Sequence, residues 1–151
     1  MKKVMTVGLI RKGGKILLDM KKKGFGSGRW NGFGGKVEKS ETIAEGQIRE
    51  FREECGIKVS ELKQIGHIEY NFQNDSLICD VHFFDVLEYL GTPVETEEMR
   101  PKWFDISEIP YESMWPDDKI WMPLYLSDKK FEGKILFKDS DTIIENNVCE
   151  I

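Results

Sequence analysis

The run VMTVGLIRKGGKILLDMKKKG, residues 4–24, sets aliphatic and β-branched side chains in alternating stretches on either side of Gly13-Gly14. Paired glycines between two such stretches suit the left-handed backbone of a tight hairpin, so two antiparallel strands are predicted. The next segment, GFGSGRWNGFGGK, carries six glycines in thirteen residues, a composition that favours turns and close backbone approach over a regular element. A helix is then predicted, opening at Thr42 and Glu45, which stand at capping-box spacing, and closing at Gly56, a suitable left-handed C-terminal residue. At about 100° per residue, Ala44, Ile48, Phe51 and Cys55 fall within roughly 60° of one another and form its expected core stripe. In HIEYNF, Ile68, Tyr70 and Phe72 alternate with His67, Glu69 and Asn71, the period of a half-buried strand. The β-rich run LICDVHFFDVLEYL is predicted to pair with it across QNDS, and RPKWFDI to add a short strand. Beyond Ser107 the apolar spacing lengthens, and Pro116 stands ahead of Asp117 and Asp118 as at a helix N-terminus. FEGKILFKDSDTIIENNV reads as a final hairpin. Strands interspersed with two helices, out of strict alternation, predict an α/β (α+β) fold: a mixed central sheet flanked by helices on its faces.

At 151 residues the chain fits one domain, 1–151, with a sizeable core. A net charge of −5 and a pI near 5.2 argue against a general nucleic-acid or anionic-membrane binder, since those rely on basic surfaces. A small polyanion remains possible if a metal mediates it. Cys55, Cys79 and Cys149 are odd in number and lack the close pairing of zinc or redox motifs, so free thiols in a reducing compartment are expected. The apolar stretch before Arg11 is too short for a signal peptide or a membrane span. The cytoplasm is the expected location, with the mitochondrion and nucleus as further compartments, and a monomer is expected.

The predicted first helix carries Glu50, Glu53 and Glu54 within about 100° of one another, centred roughly 130° from the apolar stripe and so pointing away from the packing. An ordinary solvated face interleaves Lys or Arg four residues on. Here Glu50 is followed by Glu54, near the helix end where the macrodipole disfavours anions. A cation is the natural compensation, and hard divalent ions take such oxygen ligands together with substrate phosphates. Gly35, five residues, Glu41, seven residues, then Arg49, Glu50, Phe51, Glu53, Glu54, Gly56 and Ile57 fill nine specified positions across 23 residues. That pattern resembles the Nudix box, a far more selective signal than a lone glycine motif.

The resemblance implies an α/β/α sandwich and hydrolysis of a nucleoside diphosphate linked to another moiety. It implies that Glu50, Glu53 and Glu54 hold Mg²⁺, or Mn²⁺ in its place, with the Gly35 carbonyl, and that Arg49 orients the carboxylates. Glu53 and Glu54 are both candidates for the base that takes a proton from water. MKKKGFGSGRWNGFGGKV, DVHFF, GTPVETEEMRPKWF and MWPDDKIWMPL are further similar to the animal MutT-type branch of the family. That branch hydrolyses oxidised purine nucleoside triphosphates such as 8-oxo-dGTP and 2-oxo-dATP to the monophosphate and pyrophosphate. By that likeness Glu98 is an additional metal ligand. The small-molecule nucleotide is bound by Thr6, Lys21, Phe25, Asn31, Phe72, Trp115, Asp117, Asp118 and Trp121, with Gly34, Gly35 and Lys36 on the loop leading into the helix.

Read from residues alone, adjacent Asp117 and Asp118 either favour a helix start or read a purine edge, the second requiring burial and repulsion to keep one of them neutral. Trp115 and Trp121, six apart, would not share a helix face. His67 and His82 have no partner at a readable spacing and are expected to be structural or exposed. Met5 and Cys79 stand where relatives place an aromatic and a methionine near the base. The competing readings are another nucleoside diphosphate derivative or N6-methylated dATP as substrate, and a non-catalytic nucleotide sensor.

Overall fold

The computed structural model describes residues 1–151. The predicted first hairpin forms as β1 (Lys2–Lys12) and β2 (Lys15–Lys21), turning through Gly13 and Gly14 with φ of 58° and 78°. The glycine-rich segment yields only a two-residue strand, β3 (Trp30–Asn31), which pairs with β2. Helix α1 (Ile43–Cys55) begins and ends where its caps predict: Thr42 and Glu45 exchange both capping-box bonds, and Gly56 is left-handed with φ 79°. β4 (Lys58–Phe72) and β5 (Asp75–Leu90) form the long antiparallel hairpin anticipated around QNDS. β6 (Met99–Asp105) follows and pairs with β2. Two 3-10 turns then lead to α2 (Asp118–Leu126). β7 (Phe131–Asp139), β8 (Thr142–Asn146) and β9 (Cys149–Glu150) close the chain.

The strands form one mixed, nine-stranded sheet in the order β3-β2-β1-β5-β4-β7-β8, with β6 on β2 and β9 on β7. β1 runs parallel to β5, and β4 parallel to β7; the other pairings are antiparallel. Central strands are buried on both sides, which is why they read as apolar runs. On one face Leu9, Ile16, Leu18, Ile68, Val81 and Phe83 pack with Trp121, Met122 and Tyr125 of α2. On the other, Ile10, Leu17, Val59 and Val86 pack with Phe51 and Cys55 of α1. Successive residues such as Leu9 and Ile10 thus supply opposite cores, giving the expected helix–sheet–helix layering.

Segment 33–37 doubles back beside β1, through bridges Gly8–Phe33 and Met5–Lys36, and lies against α1. The buried side of α1 is therefore wider than its apolar stripe. Gln47 and Glu54 are buried along with Phe51 and Cys55, whereas Ala44, placed in the stripe by periodicity, is exposed. Gln47 Nε2 donates to the Phe33 carbonyl at 2.8 Å, tying the loop to the helix.

Candidate active site

The three glutamates of α1 take three environments. Glu53 faces solvent, Glu50 is half-buried, and Glu54 is only 7% exposed. This corrects the expectation of a single outward acidic face: the 33–37 loop covers the flank that helical geometry alone would leave open, and Gly34 N–H donates to Glu54 Oε1 at 2.8 Å. Close approach of the loop to β1 requires glycine at position 34, where an added Cβ would lie 1.8 Å from the Thr6 carbonyl oxygen, and Gly35 lies directly against the Glu50 carboxylate.

The missing cation is in part Arg49. Its guanidinium donates to Glu41 Oε1 at 2.6 Å, Glu50 Oε1 at 3.0 Å, Glu53 Oε2 at 3.1 Å and the Lys36 carbonyl at 3.0 Å. A planar fork with five donors can hold several carboxylates at once, a task beyond a lysine. Its hydrogen bonds draw the Glu41 carboxyl down to about 2. Arg49 does not reach Glu54, and there the charge problem concentrates. Burial above all, with the charges of Glu50 and Asp19 added, pushes Glu54 up to about 9. Asp19 on β2 is 3% exposed, neither of its side-chain oxygens has a partner, and burial pushes it up to about 7. An orphaned buried carboxylate beside a second buried one, with Glu50 against Gly35, is an all-oxygen donor set of the kind hard divalent cations take; the Gly35 carbonyl itself accepts the Thr6 N–H at 2.9 Å.

A cavity of about 280 Å³ opens from these acids. Asp19, Lys21, Gly34, Gly35 and Glu54 line it at one end; at the other stand Tyr70, Phe72, Trp115, Asp117, Asp118, Trp121 and Phe137. Asp117 precedes α2 but makes no side-chain cap bond. Its Oδ2 instead accepts from the Tyr70 hydroxyl at 2.6 Å and the Trp121 indole N–H at 3.1 Å. Asp117 and Asp118 do stand at the helix start, and the Asp117 side chain is in addition a buried acid held by two donors. Burial raises both acids, and Asp118 lies well above the usual range because the Asp117 charge adds to its burial. Asp118 Oδ2 is buried without a partner, so a protonated Asp118 presents an unused donor to a ligand. Trp115 lies ahead of α2 and so escapes the helical spacing that would part it from Trp121; both reach the cavity. Phe25, 74% exposed, tilts against Trp115 at 5.3 Å, and the Arg29 guanidinium sits 4.3 Å from the Trp115 ring centre.

Residues 1–125 match the NUDIX domain. The chain belongs to the Nudix family. It is 47% identical over 149 residues to the mouse oxidized purine nucleoside triphosphate hydrolase, covering 99% of this chain and 96% of that one. The zebrafish protein of the same name is 46% identical over 149 residues, with 99% and 96% covered. A mutator MutT protein from Bacillus halodurans shares the fold, with a TM-score of 0.83 across 97% of both chains at 22% identity. Nudix hydrolases act on small nucleotide substrates and generally use a divalent metal.

Of the residues the Nudix resemblance singled out, Thr6, Lys21, Phe25, Asn31, Gly34, Gly35, Glu54, Phe72, Trp115, Asp117, Asp118 and Trp121 line the cavity. Arg49, Glu50 and Glu53 are not lining residues; Arg49 bonds to both glutamates, and Glu50 lies against the cavity-lining Gly35. Lys36 and Glu98 do not line it: both are exposed, the Lys36 carbonyl is engaged by Arg49, and the Glu98 carbonyl accepts from Lys22 N–H at 2.8 Å. Sequence reasoning missed Asp19, Tyr70 and Arg29. An acid ending the apolar run ILLD was the one available signal for Asp19. Met5 and Cys79 also line the cavity, as their noted positions implied.

Proposed function

We propose that the protein hydrolyses oxidised purine nucleoside triphosphates, 8-oxo-dGTP and 2-oxo-dATP, to the monophosphate and pyrophosphate, and so cleanses the nucleotide pool. The observation that carries this reading is the cavity itself. It joins a pair of buried acids with raised pKa among aromatic rings, suited to a purine edge, to a second pair beside the Arg49 network, suited to a metal and phosphates. The names of the mouse and zebrafish relatives support the substrate class.

Glu50, Glu53, Glu54 and the Gly35 carbonyl would hold Mg²⁺, with Mn²⁺ as a substitute, and Asp19 joins this set on the strength of its two unpartnered oxygens. When bound, the ion supplies charge neutralisation on phosphate oxygens and lowers the pKa of a coordinated water. Arg49 fixes Glu50 and Glu53 in position through its hydrogen bonds. Water adds to phosphorus, the bridging P–O bond breaks, pyrophosphate and monophosphate separate, and the proton goes to Glu53, or to Glu54 where a bound cation would hold it ionised. At the base end Asp117 is held by Tyr70 and Trp121 to accept a hydrogen bond, while neutral Asp118 donates one. A donor–acceptor pair of this kind matches an oxidised purine, whose ring N–H and carbonyl groups differ from those of the normal base. Glu98, next in sequence to the cavity-lining Met99, is kept in the proposed set as an additional ligand.

The domain is proposed to span 1–151, supported by a sheet that takes strands from Lys2 to Glu150. No helix is long and apolar enough to cross a membrane. Action as a monomer in the cytoplasm is part of the proposal.

Product analysis in ¹⁸O-labelled water with 8-oxo-dGTP and Mg²⁺ tests the reading. Monophosphate and pyrophosphate in equal yield, one of them carrying a single ¹⁸O, with dGTP turned over at least tenfold less efficiently, supports it. Equal turnover of dGTP removes the oxidised-purine assignment, and no turnover of either removes the chemistry.

A further inference from the structure

We propose a second metal site, distinct in place and in chemistry from the carboxylate cluster, formed by His67, Asp80 and His82 for a borderline dication of the Zn²⁺ class. The β4–β5 register sets His67 directly opposite His82 and Glu69 opposite Asp80, so residues far apart in sequence meet on one sheet face. That face is the reverse of the cavity wall, because Ile68, Tyr70, Cys79 and Val81 alternate with them toward the core.

One donor atom from each of the three residues lies within 4.8 Å of the other two. His82 Nε2 stands 3.5 Å from Asp80 Oδ2, while His67 Nε2 contacts Asp80 Oδ1. Ligands of a tetrahedral zinc, at about 2.0–2.2 Å from the ion, sit roughly 3.3–3.5 Å apart, so the donor spacing suits an ion once the stacked imidazoles rotate to converge on it. The imidazole rings are parallel, with centres 4.3 Å apart and an angle of 11°. Asp80 and His82 side chains are 13% and 14% exposed, and His67 is 44% exposed, so the carboxylate is enclosed while one side stays open for water or a fourth ligand.

Gln64 Nε2 lies 2.8 Å from His82 Nδ1 and donates to the Gly66 carbonyl at 3.4 Å. With the amide turned end for end, its oxygen would accept the Nδ1 proton and leave Nε2 free for a metal, the role of a group behind a ligating histidine, with loss of the long Gly66 bond. Lys2 is the nearby charge that opposes a cation, and it is exposed and therefore screened. Two nitrogens and one oxygen favour Zn²⁺, Cu²⁺ or Ni²⁺ over Mg²⁺, whereas the oxygens around Glu54 favour Mg²⁺. The two sites therefore sort ions by ligand type.

The chain has only two histidines, so its imidazole NMR signals report this site alone. ZnSO₄ is titrated into the whole protein with excess Mg²⁺ present to fill the carboxylate cluster. Both histidines are expected to shift together and to stop shifting at one equivalent of Zn²⁺, with a rise in melting temperature. His67→Gln should weaken Zn²⁺ binding about 100-fold or more and abolish the melting shift, while Mg²⁺-dependent hydrolysis stays unchanged. A shift of His67 alone, or one-equivalent Zn²⁺ binding that survives in His67→Gln, overturns the site. The result is independent of which nucleotide the cavity takes.

Discussion

Glutamine in place of Glu54 is expected to stop hydrolysis and, at the same time, to make the metal-free protein more stable. Glu54 is 7% exposed and is raised from 4.5 to about 9, chiefly by burial. An acid raised on folding gives its full contribution to stability below pH 4.5; this is lost as pH climbs toward 9, because the unfolded chain releases a proton the native chain must keep. At pH 7 the loss is about 1.4 kcal/mol per unit over the 2.5 units above 4.5, or about 3 kcal/mol. Glutamine carries no proton to lose and keeps an oxygen for the Gly34 N–H bond now at 2.8 Å. For a chain of this size about 3 kcal/mol corresponds to roughly 6–12 °C in melting temperature. Thermal melts in EDTA at pH 5, 7 and 8 read this directly. The variant should gain over the wild type as pH rises, and Mg²⁺ should narrow the gap by binding the wild type. Turnover should drop about 10³-fold or more. A variant that melts below the wild type in EDTA at pH 8, or that keeps near-normal turnover, refutes the reasoning.

Asp19→Asn is expected to act in the same direction by the same route. Asp19 stability is present below its ordinary 3.8 and lost through about pH 7, so between pH 5 and 8 the variant's melting temperature should fall less steeply in EDTA, and calorimetry should show weaker Mg²⁺ uptake. As neighbours, Asp19 and Glu54 should give sub-additive effects in the double variant. Arg49→Lys replaces a fork that bridges three carboxylates by a point charge; Mg²⁺ affinity should fall about 10–100-fold with a smaller change in nucleotide KM in saturating metal. Asp117→Asn should lower the kcat/KM ratio of 8-oxo-dGTP over dGTP about tenfold while slowing Mg²⁺-dependent cleavage less, and equal losses on both substrates would count against the base-reading role.

Much of the frame was legible because the relevant physics is local. Gly13-Gly14, the Thr42–Glu45 box and Gly56 each declare a backbone conformation within a few residues, and all three appear where expected. The spacing from Gly35 to Ile57 likewise marks the loop and α1 as one unit in the sequence itself. The helical wheel failed at Glu54, since a wheel knows one packing partner and α1 has two, the sheet and the 33–37 loop. Asp19 was hidden for a similar reason: in a strand buried on both faces, polarity no longer marks the outer side. Tyr70 under Asp117 and the meeting of His67 with Asp80 and His82 depend on long-range register and helix docking, which no local pattern specifies. Trp115 and Trp121 are parted on the wheel only if both belong to one helix, whereas the helix starts at Asp118, between them.

The central claim is that the buried acids of α1 and β2 exist to share a divalent ion with the phosphates of a nucleotide held in the same cavity. Calorimetric titration of Mg²⁺ into the protein, alone and with a non-hydrolysable 8-oxo-dGTP analogue bound, addresses it most directly. The nucleotide should tighten Mg²⁺ binding at least tenfold in the wild type, and Glu54→Gln should abolish that gain. Magnesium uptake that is absent, or indifferent to both the analogue and the substitution, contradicts it.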